Sequence, residues 1–224
     1  MVSKALKKNV TSFYQNPEST ISEEFKRIKV NIEFAAFENK SKTILITSPN
    51  KSEGKTMITA KLAITLSREG KKVLLIDSSI HNPTLHKVFK IKNNEGLTNV
   101  IAGQRKLKDT INQTMIDDLK ILTVGQISYN IEKLYHSTSM DEVLTEAVKD
   151  FDFVLIDSSP VHEGNMTKII ANKCDGVIMV VRSHKTEDIL AQEAKKVLEI
   201  SKSKLIGIIL NAKPRSMFKY FRNK

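Results

Sequence analysis

The chain has 224 residues, 40% of them hydrophobic and 27% charged, and carries a formal net charge of +11. That length suits one α/β domain, and that balance suits a globular protein with an adequate core. The longest apolar runs, residues 73–76 and 176–181, are far shorter than the about 20 residues that cross a bilayer.

The N-terminus MVSKALKKNVTSFYQ has no apolar core of signal-peptide length, so a cytoplasmic location is expected. The single Cys174 offers no disulfide or zinc framework and reads as a small core residue. The positive charge would suit nucleic acid, an anionic leaflet or an acidic partner. Its concentrations at residues 4–8 and 213–224 come without a helix-turn-helix signal, an aromatic RNA-binding motif or metal-finger spacing. A membrane-proximal or acidic partner is expected, and nucleic acid is not.

In chain order, residues 1–18 read as an N-terminal extension. Residues 19–37 read as an amphipathic helix, capped by Ser19 or Thr20, with Ile21, Phe25, Ile28 and Ile32 near helical spacing. TILIT (43–47) is a short strand, the polar loop SPNKSEGKT follows, and residues 57–68 resume a helix that stops at Gly70. VLLID (73–77) is an unbroken apolar strand, as in a parallel sheet covered on both faces. A short helix is punctuated by Gly96 and Gly103. Residues 119–124 read as a strand, 139–149 as a helix, FVLID (153–157) as a strand, 177–181 and 205–210 as strands, and 185–201 as a helix. Strands alternating with helices predict a doubly wound, mostly parallel α/β sheet over residues 19–212. Residues 213–224 form a basic tail that reads as disordered or as an interfacial patch of cations and aromatics.

Gly54-Lys55-Thr56 lies between a strand and a helix. This is the setting of a phosphate loop, here residues 48–56, in which amides at a helix start point at the anion. Lys55 can reach the β and γ phosphates, and the Thr56 hydroxyl can ligate Mg²⁺. The usual first glycine of the loop is replaced by Pro49. Asp77 and Asp157 each end an apolar strand, and ligands bind outside the carboxyl ends of parallel strands. Both carboxylates are expected to converge on the loop and serve a metal or its water; the alternative is that each caps a helix. His81 and His86 flank Pro83 but lack a third ligand for zinc.

The order ITSPNKSEGKTM, LLIDSSIHNPTLH, VLIDSSP resembles the bacterial tyrosine kinases of capsule and exopolysaccharide loci (BY-kinases), in their free-standing cytoplasmic form. The likeness spans about residues 19–211 and includes EEFKRIKVN, GLTNVIAGQ and GIILN. It implies a P-loop NTPase with deviant Walker motifs, using ATP and Mg²⁺ to phosphorylate protein tyrosines, itself included, in capsular polysaccharide assembly. It also implies a membrane-bound modulator at the inner face of the membrane, a homo-oligomer and tyrosine-containing protein substrates.

By the same resemblance, Ser52, Glu53, Gly54, Lys55, Thr56 and Met57 would hold the phosphates. Thr56 and Asp157 would hold Mg²⁺, partly through water, and Asp77 would orient or deprotonate the incoming tyrosine. Asn211 would contact adenine, although as a plain strand terminator it is equally natural. Glu23, Lys26 and Lys29 would make oligomer contacts, and Tyr220 would be the phosphosite.

The departures are specific. Lys51 and Ser52 replace a Pro-Gly pair, Met57 replaces a threonine, and the second motif carries Ser79 and His81 where the family has aspartate and arginine. The third motif reads Asp157-Ser158-Ser159-Pro160, and Lys26 and Lys29 replace arginines, keeping the charge without the bidentate fork. Two competing readings share the fold: a nucleotide-dependent, non-catalytic assembly protein, and a partitioning-type ATPase.

Overall fold

The computed structural model describes residues 2–39, 41–126, 131–202 and 204–212. The chain begins with α1 (Val2–Gln15), α2 (Thr20–Asn39), β1 (Thr43–Thr47), α3 (Lys55–Arg68) and β2 (Val73–Asp77). Short elements follow: α4 (Leu85–Phe89), α5 (Leu97–Ile101), α6 (Leu107–Thr110), β3 (Asn112–Gln113) and β4 (Leu119–Leu122). The last part comprises α7 (Ile131–His136), α8 (Thr138–Asp150), β5 (Phe153–Asp157), a 3₁₀ turn (Val161–Glu163), α9 (Met166–Ala171), β6 (Gly176–Arg182), α10 (Asp188–Glu199) and β7 (Lys204–Asn211).

The strands form one sheet in the order β3-β4-β2-β5-β1-β6-β7. Every neighbouring pair is parallel except β3, which runs antiparallel to β4. β1, β2 and β5 are buried along their whole length, because helices cover both faces. Alternate side chains divide between two cores, as the pleat dictates. Ile44, Ile46, Val73, Leu75 and Leu155 pack with α1–α4, whereas Leu45, Leu74, Ile76, Val154 and Ile156 pack with α5–α10. Cys174 is buried in the second core. Among the described residues no helix is long and apolar enough to cross a membrane.

The helix that follows the phosphate loop occupies the centre of the first face. Residues 58–67 of α3 are buried without interruption, with the sheet on one side and α1 and α2 on the other. A helix enclosed all round has no need of an amphipathic stripe. α3 begins at Lys55, two residues earlier than its apolar spacing predicts, because the loop glycine marks its start.

Residues 2–15, read from sequence as an extension, form a helix seated on α3 and α4. Val10 and Phe13 of α1 are buried. Phe13 meets Phe25 of α2 edge to face at 5.2 Å, and the buried Lys61 ammonium lies over both rings at 5.3 and 5.8 Å. The helix predicted over 185–201 is shortened to α10, since residues 182–186 close a tight loop in which Thr186 Oγ1 accepts the Arg182 amide at 3.0 Å. The small elements α4, α6, α7, α9 and β3 escape prediction because each is too short to show a period.

Phe13 is only 5% exposed, so Phe13→Ala should lower the unfolding free energy by about 3 kcal/mol in urea titration. A loss below about 0.5 kcal/mol would mean that α1 is an appendage.

Candidate nucleotide-binding site

The site begins where β1, β2 and β5 stop. Asp77 and Asp157 are direct register partners at the ends of adjacent parallel strands. Hydroxyls tie the neighbouring ends together: Ser158 Oγ donates to the Ile46 carbonyl at 3.0 Å, and Thr47 Oγ1 donates to that of Ser159 at 2.9 Å. The loop from β1 to α3 rises over these ends. Ser48 Oγ donates to the Asn50 carbonyl at 2.7 Å, and Lys51 pairs with Glu163 at 3.2 Å.

Ser52 holds φ at 61°, a left-handed conformation that glycine adopts freely and serine does not. It stands where the family's Pro-Gly pair ends. Gly54, at φ 93°, tolerates nothing larger, because a Cβ there would lie 2.2 Å from Asn211 Nδ2. Asn211, at the end of β7, turns toward the loop, donating Nδ2 to the Glu53 carbonyl at 2.8 Å and accepting the Ala212 amide on Oδ1.

Ile58 is the first α3 residue to bond back, to the Gly54 carbonyl. The amides of Lys55, Thr56 and Met57 therefore have no intrahelical acceptor. The Met57 side chain packs into the core beneath. Sequence reasoning missed Arg182 and Lys185. Arg182 Nη1 donates to the Ser52 carbonyl at 3.1 Å, and Lys185 Nζ reaches the Lys51 and Ser52 carbonyls at 3.1 and 3.3 Å. The signal was present: cations follow the carboxyl end of a parallel strand, where ligand sites form.

Thr56 Oγ1 donates to Asp157 Oδ2 at 2.6 Å, while the buried Asp157 Oδ1 has no partner. Asp77 has both oxygens engaged: Oδ1 accepts the Ser79 amide, and Oδ2 accepts those of Thr84 and Leu85, all at 3.0 Å. It thereby anchors the start of α4. Burial pushes both carboxyls above the ordinary range. For Asp157 the Asp77 charge adds to that rise, and Lys55 opposes it. For Asp77 the three loop amides and Lys55 oppose it. Lys55 therefore sits within electrostatic reach of both.

Glu53, 1% exposed, is also raised by burial; the Thr186 hydroxyl and the Asn50 backbone lie close without completing a hydrogen bond. The donor set fits Mg²⁺: one hydroxyl and one carboxylate with an unpartnered oxygen are what an ion that keeps several waters and takes phosphate ligands requires.

The remaining sequence candidates lie apart. Lys26 pairs with Glu23 on the exposed side of α2 at 2.6 Å. Lys29 turns inward instead, held by Glu33 at 3.0 Å and by Glu69 just past α3. His81 is exposed, and His86 lies on α4 with its buried Nδ1 unpartnered. Among the described residues no three His, Cys, Asp or Glu side chains group to hold a metal. Tyr220 lies outside the described residues.

A glycine-started helix, an adjacent lysine and a threonine–aspartate bond at the edge of a parallel sheet define a P-loop NTPase. A family model described as "AAA domain" matches residues 41–204. Tyrosine-protein kinase YwqD of Bacillus subtilis (strain 168) is 36% identical over 211 residues, covering 94% of this chain and 89% of the relative. The crystal structure of the chimerical protein CapA2B2 superimposes with a TM-score of 0.84 at 33% identity, covering 89% and 88% of the two chains. The septum site-determining protein MinD of Pyrococcus horikoshii OT3, solved with Mg-ADP, follows at 0.67 and 28% identity, covering 79% and 72%. The chain belongs to the bacterial tyrosine-protein kinase family.

Because both aspartates are raised, the folded protein holds more protons than the unfolded chain between the ordinary value of 3.8 and about 7. The stability that these two carboxyls contribute to the ligand-free protein falls as pH rises through that window. Its Tm should drop by on the order of 5 °C from about pH 5 to about pH 7.5, and Asp157→Asn should flatten the slope. A Tm that climbs over the same range would contradict this electrostatic picture.

Proposed function

We propose that the chain binds Mg-ATP and transfers the γ-phosphoryl group to protein tyrosines, including its own Tyr220, in capsular polysaccharide assembly. The observation that carries this reading is the Thr56–Asp157 hydrogen bond at the foot of the phosphate loop, with Asp157 Oδ1 left free beside it. Thr56 and Asp157 would hold Mg²⁺, partly through water. Bound there, the ion neutralises charge on the β and γ phosphates.

The chain's own groups do the rest. The free amides at the start of α3 receive phosphate oxygens, aided by the helix field. Lys55 supplies the mobile positive charge that follows the phosphoryl group. Asp77 is proposed to take the tyrosine proton. Its raised carboxyl is a stronger base than an ordinary aspartate, and Oδ1, which accepts only the Ser79 amide, keeps a second acceptor site for a hydroxyl. Ser79 and the exposed His81 leave Asp77 as the only carboxylate of that loop.

We assign the homo-oligomer to α2, where Glu23, Lys26 and the exposed Val30, Phe34 and Phe37 line the solvent side; Lys29 is an internal partner. The net charge of +11 supports a place at the inner membrane face beside a membrane-bound modulator. Asn211 has its amide on the loop backbone, so any contact with adenine would be secondary to that bond.

Lys55→Met should weaken Mg-ATP binding or abolish turnover, as read by calorimetry and phosphotyrosine formation. Unchanged affinity and turnover would reject this placement of the phosphates. For the tail, mixing a Lys55→Met chain that keeps Tyr220 with an active Tyr220→Phe chain should place phosphate on Tyr220 of the former. Label found only on Tyr14, Tyr129 or Tyr135 would refute transfer between subunits to the tail.

A further inference from the structure

Three consecutive carbonyls of the phosphate loop are held from outside it. Lys185 Nζ binds that of Lys51, Arg182 Nη1 and Lys185 Nζ bind that of Ser52, and Asn211 Nδ2 binds that of Glu53. All three donors come from the carboxyl ends of β6 and β7 or the loop between β6 and α10. In a trans peptide the carbonyl of one residue and the N–H of the next point in opposite directions. With these carbonyls turned toward β6 and β7, the amides of Ser52, Glu53 and Gly54 face away from the donors. Among the described residues, none of those amides has a protein acceptor.

The middle residue of this run is Ser52, a non-glycine residue at φ 61°. Its carbonyl is the one that receives two cationic donors. The loop supplying them is itself tightly turned, with His184 at φ 56° and the Arg182 amide bonded to Thr186 Oγ1.

We infer that Arg182 and Lys185, with Asn211, are positioning residues that fix the peptide planes of residues 51–54, so that three amides stand ready for phosphate. They hold by hydrogen bonding the left-handed turn that a glycine would adopt unaided. This rests on the nucleotide reading of the loop and goes beyond it. The two side chains act on the loop backbone; their contribution to binding passes through Ser52. Both are solvent-facing, so their removal leaves the core intact.

The test is Mg-ADP calorimetry on the full chain. Arg182→Met and Lys185→Met should each raise Kd by roughly 5- to 10-fold, from the loss of one charge-assisted hydrogen bond in the first and two in the second, with Tm little changed. In a Ser52→Gly background the same substitutions should cost less than about 2-fold, because coupled residues are non-additive. Arg182→Lys should recover part of the affinity. Equal losses in the serine and glycine backgrounds would mean that the cations touch the nucleotide directly, which overturns the inference. Unchanged Kd in both single variants overturns it as well. If the wild-type chain fails to bind Mg-ADP, the nucleotide reading falls first and this inference with it.

Discussion

Two carboxylates buried side by side at the carboxyl edge of a parallel sheet are the constraint around which the molecule is arranged. Asp77 and Asp157 are forced together by the register of β2 and β5, in surroundings where an unpaired charge is costly. The chain answers with different partners on each. Three backbone amides and the start of α4 surround Asp77, whereas Asp157 has one hydroxyl and an empty oxygen. The lysine that follows the loop glycine supplies positive charge to both. Asp77 therefore also serves the architecture, while Asp157 keeps an oxygen without a protein partner.

That division depends on the rigidity of α3. The helix carries Lys55 and Thr56 at its first turn and is enclosed over residues 58–67. Its far end is fixed by Glu69, which shares the inward-facing Lys29 with Glu33. α1 and α2 close the outer side through Phe13 and Phe25. A residue that sequence comparison reads as a subunit contact thus serves the interior of its own chain. The shift from arginine to lysine at position 29 suits such a role: a compact ammonium fits between two carboxylates where a planar fork would need more room.

Most of the framework was legible in the sequence because it is built from long or strongly apolar elements. TILIT, VLLID and FVLID could be placed to the residue, and the GKT turn between strand and helix announced the phosphate loop. The short, mixed-polarity elements α4, α6, α7, α9 and β3 were not legible, since so few residues without an apolar run carry no usable period. The burial of α1 was hidden too, because its basic residues mask the apolar side formed by Val10 and Phe13. Strand ends and spacing pointed to Asp77, Asp157, Lys55 and Thr56, and the structure brings these four together. Arg182 and Lys185 were not, because their partners are backbone carbonyls about 130 residues away. Side chains that bond to backbone leave no complementary residue to notice.

The order in which the chain is made adds a final consequence. Residues 48–56 are made well before their partners, because the groups bonded to their carbonyls belong to β6, β7 and the loop after β6. The separation reaches 158 residues between Asn211 and Glu53. Contacts so distant in sequence form late, after the intervening loop entropy has been overcome. On the ribosome, the early half of the sheet can acquire its strands and aspartates while the phosphate loop still lacks its outer supports. A nascent chain halted before β7 would carry the whole sequence motif without the bond that fixes it to the sheet edge. The outer supports of the loop are thus complete only once β7 has followed, 158 residues after Glu53, although the GKT signature itself is local.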